Sequence, residues 1–247
     1  MKVRSVLVGL VVLALLAAGG LLVWRGLAEQ PPEATPTPSE EFTITAEQAR
    51  ELALGAAADG DLFRIPEGED FGPYVRTEPV PTPPDGGTAS ADWSGRLQIP
   101  SIMVDAPIID EGVTPQNTMS LPDDLSLVGR LETTAPLEAA EGVTLLAGHV
   151  TWRGDHGALY FLGEVGPGAR VDTWDEQGER TTWAVSSVEL FDKQALPDRL
   201  FTPDGERRLV LVTCGGPIIQ LGGGDWTHES NIVVTAVPVD SAASTAR

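Results

Sequence analysis

Hydrophobic positions fall into three regimes along this chain of 247 residues. From Val6 to Trp24 they run on without a charged residue, with Lys2 and Arg4 before the run and Arg25 closing it. At about 1.5 Å per helical residue such a run spans roughly 28 Å, against about 30 Å for a bilayer core. It predicts a single membrane anchor over residues 1–27, its N-terminus held in the cytoplasm by Lys2 and Arg4. A cleaved signal with small residues at Ala17-Ala18-Gly19 is the alternative. No cysteine follows the run, which excludes a lipid anchor there. Either way the remainder is extracytoplasmic.

The second regime, residues 28–91, is mostly polar. Pro31 to Glu41 reads PPEATPTPSEE, an extended and solvated spacer. Thr45-Ala46-Glu47-Gln48 has the form of a capping box and predicts a short helix over about 46–58. Ala49, Leu52, Ala53 and Ala56 share one face of it. That narrow stripe either docks on the main domain or belongs to a helical piece of stalk. Glu67 to Gly87 returns to Pro, Gly and acid, as a second linker.

From residue 92 to 239 short apolar runs alternate with turn signals. The runs are 96–100, 103–109, 144–150, 169–174, 181–191, 207–214 and 231–239. They predict seven or eight strands of a mainly β domain, a barrel or a sandwich. Pro122-Asp123-Asp124-Leu125 is a candidate helical turn. No internal repeat is present, and residues 240–247 form a polar tail.

Composition narrows the partners. The net charge is −20, from 36 acidic and 16 basic residues. Phosphate backbones need clustered Lys and Arg, so nucleic acid is excluded as a partner. There is one cysteine, so no intrachain disulfide can form. In an exported protein it is a buried spectator, half of an intermolecular bridge, or a reactive thiol.

That cysteine, Cys214, closes the apolar run Leu209-Val210-Leu211-Val212-Thr213 and is followed by Gly215-Gly216-Pro217. The pattern predicts a buried strand that ends at the thiol, where the chain turns. A thiolate nucleophile needs a base or a positive neighbour. The histidines are His149, His156 and His228. His149 closes a second apolar run, Leu145 to Gly148, so two strand ends can meet at one mouth of a barrel. His149 is then either a rim histidine or the partner of Cys214. His156 and His228 lie in polar, Gly-containing stretches and read as solvated. His149, His156 and Cys214 match no familiar zinc spacing, and no cofactor motif is present. The order, histidine before cysteine, differs from papain-like enzymes.

Leu146-Ala147-Gly148-His149 together with Thr213-Cys214-Gly215-Gly216-Pro217 resembles the sortases, and TCGGP resembles their class F, from Gram-positive actinobacteria. The resemblance runs over about 92–239. It takes in RLQIPSIMVDAPI, Gly157 to Leu162, Leu196-Pro197 and the closing strand from Asn231. It implies an eight-stranded sortase-type β-barrel. It implies a cysteine transpeptidase that cleaves an LPXTG-like sorting signal on surface proteins and passes the acyl group to a peptidoglycan precursor or other amine. By the resemblance Cys214 is the nucleophile and His149 the general acid/base. The family also places an arginine just before the last strand. Here that position is Glu229 or Ser230, and no arginine lies between Arg208 and Arg247. A carboxylate opposes a developing oxyanion. Arg153, or backbone N–H groups near Gly215, are the substitute donors; loss of activity is the other consequence.

Overall fold

A computed structural model describes residues 38, 40–59, 94–152, 155–220 and 226–239. The expected anchor, most of both linkers, Arg153 and the tail lie outside the described residues. Among the described residues no helix is long and apolar enough to cross a membrane.

Among the described residues eleven strands and one α-helix follow in order. They are β1 (Phe42–Thr43), α1 (Ala46–Asp59), β2 (Gly95–Ile99), β3 (Val104–Glu111), β4 (Val128–Leu131) and β5 (Val143–Ala147). Then come β6 (Thr151–Trp152), β7 (Asp155–His156), β8 (Arg170–Trp174), β9 (Arg180–Asp192), β10 (Arg208–Gln220) and β11 (Trp226–Pro238). Strands β9, β11, β10, β5, β4, β3, β2 and β8 are neighbours in that order, and β8 pairs back onto β9. The sheet is therefore a closed, eight-stranded barrel, as the sortase resemblance implies, and closure removes the exposed edges an open sheet would leave.

Most pairs are antiparallel, but β3–β4 and β5–β10 are parallel. The second parallel pair matters most, because parallel strands end at the same rim. Alternation along β10 sends Leu209 and Leu211 into the barrel, where they meet Leu146, Trp183, Ile232 and Val234. Val210 and Val212 point outward, onto Leu145, Ala147 and Val233. The segment after β9 covers this outer face with Leu196, Leu200 and Phe201, and Met119 and Leu121 cover it from the other side. Both faces of β5 and β10 are thus apolar, which is why their sequences run hydrophobic without alternation.

The stretch before the barrel is not all spacer. Phe42 and Thr43 pair with Val188 and Ser187 of β9, and the Glu41 carboxylate accepts the Leu190 N–H at 2.6 Å. Thr45 and Gln48 exchange the two bonds of a capping box at the start of α1. Ala49 is buried against Ala184 and Val237, and Arg50 Nε donates to the Pro238 carbonyl at 2.8 Å. The helix docks on the barrel.

Four sequence expectations are corrected. β10 does not end at Cys214 but continues to Gln220, with a bulge between Gly215 and Ile218. β11 starts at Trp226 rather than at Asn231. β4 is an additional strand: four residues containing Gly129 and Arg130 are too short to show a period. Residues 122–125 form a turn without a helix; the Leu127 N–H donates to Asp124 at 3.1 Å.

Candidate active site

The register of the parallel pair brings Cys214 and His149 together at one rim. Arg208 faces Val143, and the pairing continues residue by residue to Val212 beside Ala147. Beyond the strand, the Gly148 N–H donates to the Val212 carbonyl at 3.1 Å. The buried Thr213 hydroxyl donates to the Gly148 carbonyl at 2.9 Å. The next residue on each strand is His149 and Cys214.

Cys214 is a free, half-buried thiol. It shares the outer face with Val210 and Val212 by alternation. Across β11 it faces Asn231, which in turn faces Phe191 of β9. The thiol therefore stands at the end of a buried apolar cluster that includes Val212, Ala147 and Val233, with Phe191, Leu121 and Leu196 packed against it.

His149 is half-buried, and its Nε2 lies 3.1 Å from the Pro122 carbonyl oxygen. A carbonyl only accepts, so Nε2 carries a proton. In the neutral ring Nδ1 is then the basic nitrogen. The turn before β4 orients the imidazole in this way. Gly157, just after the β6–β7 hairpin, packs on the backbone of His149. Gly157 donates its N–H to the Val150 carbonyl at 2.8 Å, and a Cβ at residue 157 would collide with the His149 carbonyl. Only glycine fits that approach.

His156 is not simply solvated. Its ring stacks on Tyr160 with centroids 3.6 Å apart and planes 10° from parallel. His228 departs further from expectation. It lies inside β11, is 7% exposed, and places Nδ1 3.2 Å from the Gly216 carbonyl. Burial pushes its pKa down, the Gly216 carbonyl partly offsets this, and the charge of Lys193 lowers it further.

No arginine occupies the rim beside Cys214 on β11. Asn231 is its strand partner, buried Ser230 pairs with Gly215, and exposed Glu229 sits opposite the bulge. Alternation puts Glu229 on the same face as Asn231. Two cations lie nearby. Lys193 follows the Asp192–Ser230 pair and donates from Nζ to the Thr227 hydroxyl at 2.8 Å. Arg199 stacks 5.6 Å above the Phe191 ring and is paired with Glu189 at 3.3 Å. Among the described residues no group of three or more His, Cys, Asp and Glu side chains is arranged to hold a metal ion.

The sequence assigned no role at the site to Thr213, Pro122, Gly157 or His228. Pro122 acts through a backbone carbonyl, which any residue would supply, so no sequence signal exists for it. Gly157 stands in a stretch that carries the family resemblance, but its contact with His149 depends on how the β6–β7 hairpin folds back.

A family model of the sortase domain matches residues 97–239, more than half of the chain. The chain belongs to the sortase family. No curated protein matches the sequence. Among solved structures, this sortase is similar to Streptococcus agalactiae sortase C1 in its complex with MTSET. Identity there is 20%, covering 79% of this chain and 92% of that one, with a TM-score of 0.47. Streptococcus pneumoniae sortase C-1 is 16% identical over 78% of this chain and 88% of that one, also at 0.47. Sortase C1 of Streptococcus suis is 18% identical over 63% and 77%, again at 0.47.

Proposed function

We propose that this sortase is a membrane-anchored cysteine transpeptidase with Cys214 as nucleophile and His149 as general acid/base. The observation that carries this reading is the β5–β10 register, which runs the two parallel segments side by side as far as Gly148 and Thr213, so that His149 and Cys214 follow next at one rim. In this reading the substrate is an LPXTG-like sorting signal on a surface protein, as the likeness of the His149 and Cys214 motifs to the sortase family implies.

The chemistry balances on these two groups. Cys214 Sγ, as thiolate, adds to the threonine carbonyl carbon of the signal. The tetrahedral oxyanion collapses, the C–N bond to glycine breaks, and protonated His149 gives its proton to the leaving amine. A thioester on Cys214 remains. An incoming amine, from a peptidoglycan precursor or another acceptor, then attacks the thioester. It loses its proton to His149 Nδ1 and expels the thiolate. When water attacks instead, the outcome is hydrolysis. Assignment to class F rests on the Thr213 to Pro217 motif, and the extracytoplasmic placement on the apolar run Val6 to Trp24.

A second reading is favoured by one observation, the carboxylate of Glu229 where the family carries arginine. It holds the chain to be a sortase-fold domain that binds a sorting signal or wall component without turning it over. Incubation of a sorting-signal peptide with the protein, with and without a glycine-terminated amine, separates the two. The transpeptidase reading predicts amine-dependent ligated product that disappears in Cys214→Ala and in His149→Ala. Saturable peptide binding with no product in any variant supports the second reading and overturns the first.

A further inference from the structure

The strand after Cys214 leaves its ladder within one residue. Gly215 pairs with Ser230, but the next pair is Ile218 with His228, so β10 carries one residue more than β11 at this point. Such a bulge breaks the local ladder and frees backbone groups from their strand partners. Pro217 has no N–H to give. Gly216 has φ +73, in the left-handed region that only glycine enters without strain. Ser230 packs against it, its Cβ and Oγ lying 3.1 Å from where a Gly216 Cβ would stand. On the other side the Gly216 carbonyl meets Nδ1 of buried His228 at 3.2 Å. The carbonyl only accepts, so Nδ1 carries the proton and donates.

We propose that His228 is a positioning residue: its Nδ1–H bond to the Gly216 carbonyl holds the Gly215–Pro217 bulge, and with it the backbone beside the Cys214 thiol, in the conformation that acyl transfer uses. The position matters more in this chain than in a sortase with an arginine at the rim. With Glu229 there instead, the backbone N–H groups near Gly215 are among the substitute donors for charge developing on the substrate oxygen, and these belong to the bulge. The inference rests on the transpeptidase reading for its catalytic consequence, not for the bond itself.

Two near-isosteric variants test the atom rather than the volume. The Asn amide nitrogen reaches the place of Nδ1, whereas the Gln amide nitrogen reaches the place of Nε2. His228→Asn is expected to keep kcat within about threefold of the unsubstituted protein, and His228→Gln to lose on the order of tenfold or more, with KM changed less than about twofold. Hydrogen exchange over residues 214–219 reads the lock without any substrate. It is expected to quicken in His228→Gln and not in His228→Asn, with the rest of the barrel unchanged. Equal kcat in the two variants, or exchange at 214–219 that is the same in both, overturns the assignment. A transpeptidase that stays fully active in His228→Gln overturns the positioning role and leaves the proposed function standing. A protein that transfers no acyl group overturns the proposed function, and exchange alone then decides whether His228 holds the bulge.

Discussion

Thr213 joins the two halves of the site by a single hydroxyl. Its Oγ1 donates to the Gly148 carbonyl at 2.9 Å, and the side chain is 2% exposed. Thr213→Val keeps the shape and the β-branched preference for a strand but removes the donor. No cavity opens, so the whole effect is the unpaired, buried carbonyl, which costs about 1–3 kcal/mol. For a domain of this size each kcal/mol moves Tm by roughly 2–4 °C, so the variant should melt roughly 2–12 °C lower. The same bond fixes how far the His149 end of β5 advances along β10. Acyl transfer should therefore fall by on the order of tenfold or more at saturating peptide, measured at a temperature where the variant is fully folded. Thr213→Ser keeps the hydroxyl and should restore most of the rate, at the stability cost of one buried methyl. Calorimetry and a peptide–amine ligation assay measure the two effects. A Thr213→Val protein with unchanged Tm and unchanged rate refutes the idea that this hydroxyl sets the strand ends.

Three further variants extend the test. Gly157→Ala places a methyl against the His149 carbonyl and should cut kcat by roughly tenfold or more, with a smaller loss in peptide affinity; wild-type turnover would show that this close approach does not position His149. Glu111 titrates above its ordinary value of 4.5, first because it is buried and then because Asp123 and Glu132 repel its charge. Its folded pKa is raised, so its contribution to stability is full below the unfolded value and is lost as pH rises through the folded one. Glu111→Gln should therefore raise Tm at pH near 7 and lose that gain as pH falls towards about 4; a gain that persists there excludes a charge effect. Glu229→Arg puts a cation at the exposed β11 position opposite the bulge, and under the transpeptidase reading should raise kcat by on the order of tenfold; a rate that stays the same or falls shows that this position does not meet the developing oxyanion or that another group already fills that role.

How much of the fold and site is legible in the sequence depends on the range of the interaction. Cys214 and His149 each close an apolar run, and such runs are local signals of strands buried on both faces. Two titratable residues at two such ends can be read from residue order alone. The capping box at Thr45 is local as well. The path of β10 beyond Cys214 is not. Gly215-Gly216-Pro217 has the composition of a turn, and only pairing with β11 turns it into a bulge within a continuing strand. His228 shows the same limit. Trp226 to Ser230 reads as polar loop, and its burial arises from partners on β9 and β10 that are distant in the chain. β4 is too short to carry a period, and the orienting carbonyl of Pro122 belongs to the backbone. The absent arginine is the reverse case. It is plain in the sequence, whereas the structure adds that Asn231, Ser230 and Glu229 are what the rim holds instead.

The central claim is that Cys214 carries the acyl group, with His149 as its proton partner. Intact-protein mass spectrometry during turnover of a sorting-signal peptide measures this directly. It should show an adduct with the mass of the acyl portion, mapped to Cys214, discharged by hydroxylamine and absent in Cys214→Ala. In His149→Ala its formation should be slowed by at least about a hundredfold. Turnover without an adduct on Cys214, or an adduct that forms at the same rate without His149, would contradict it.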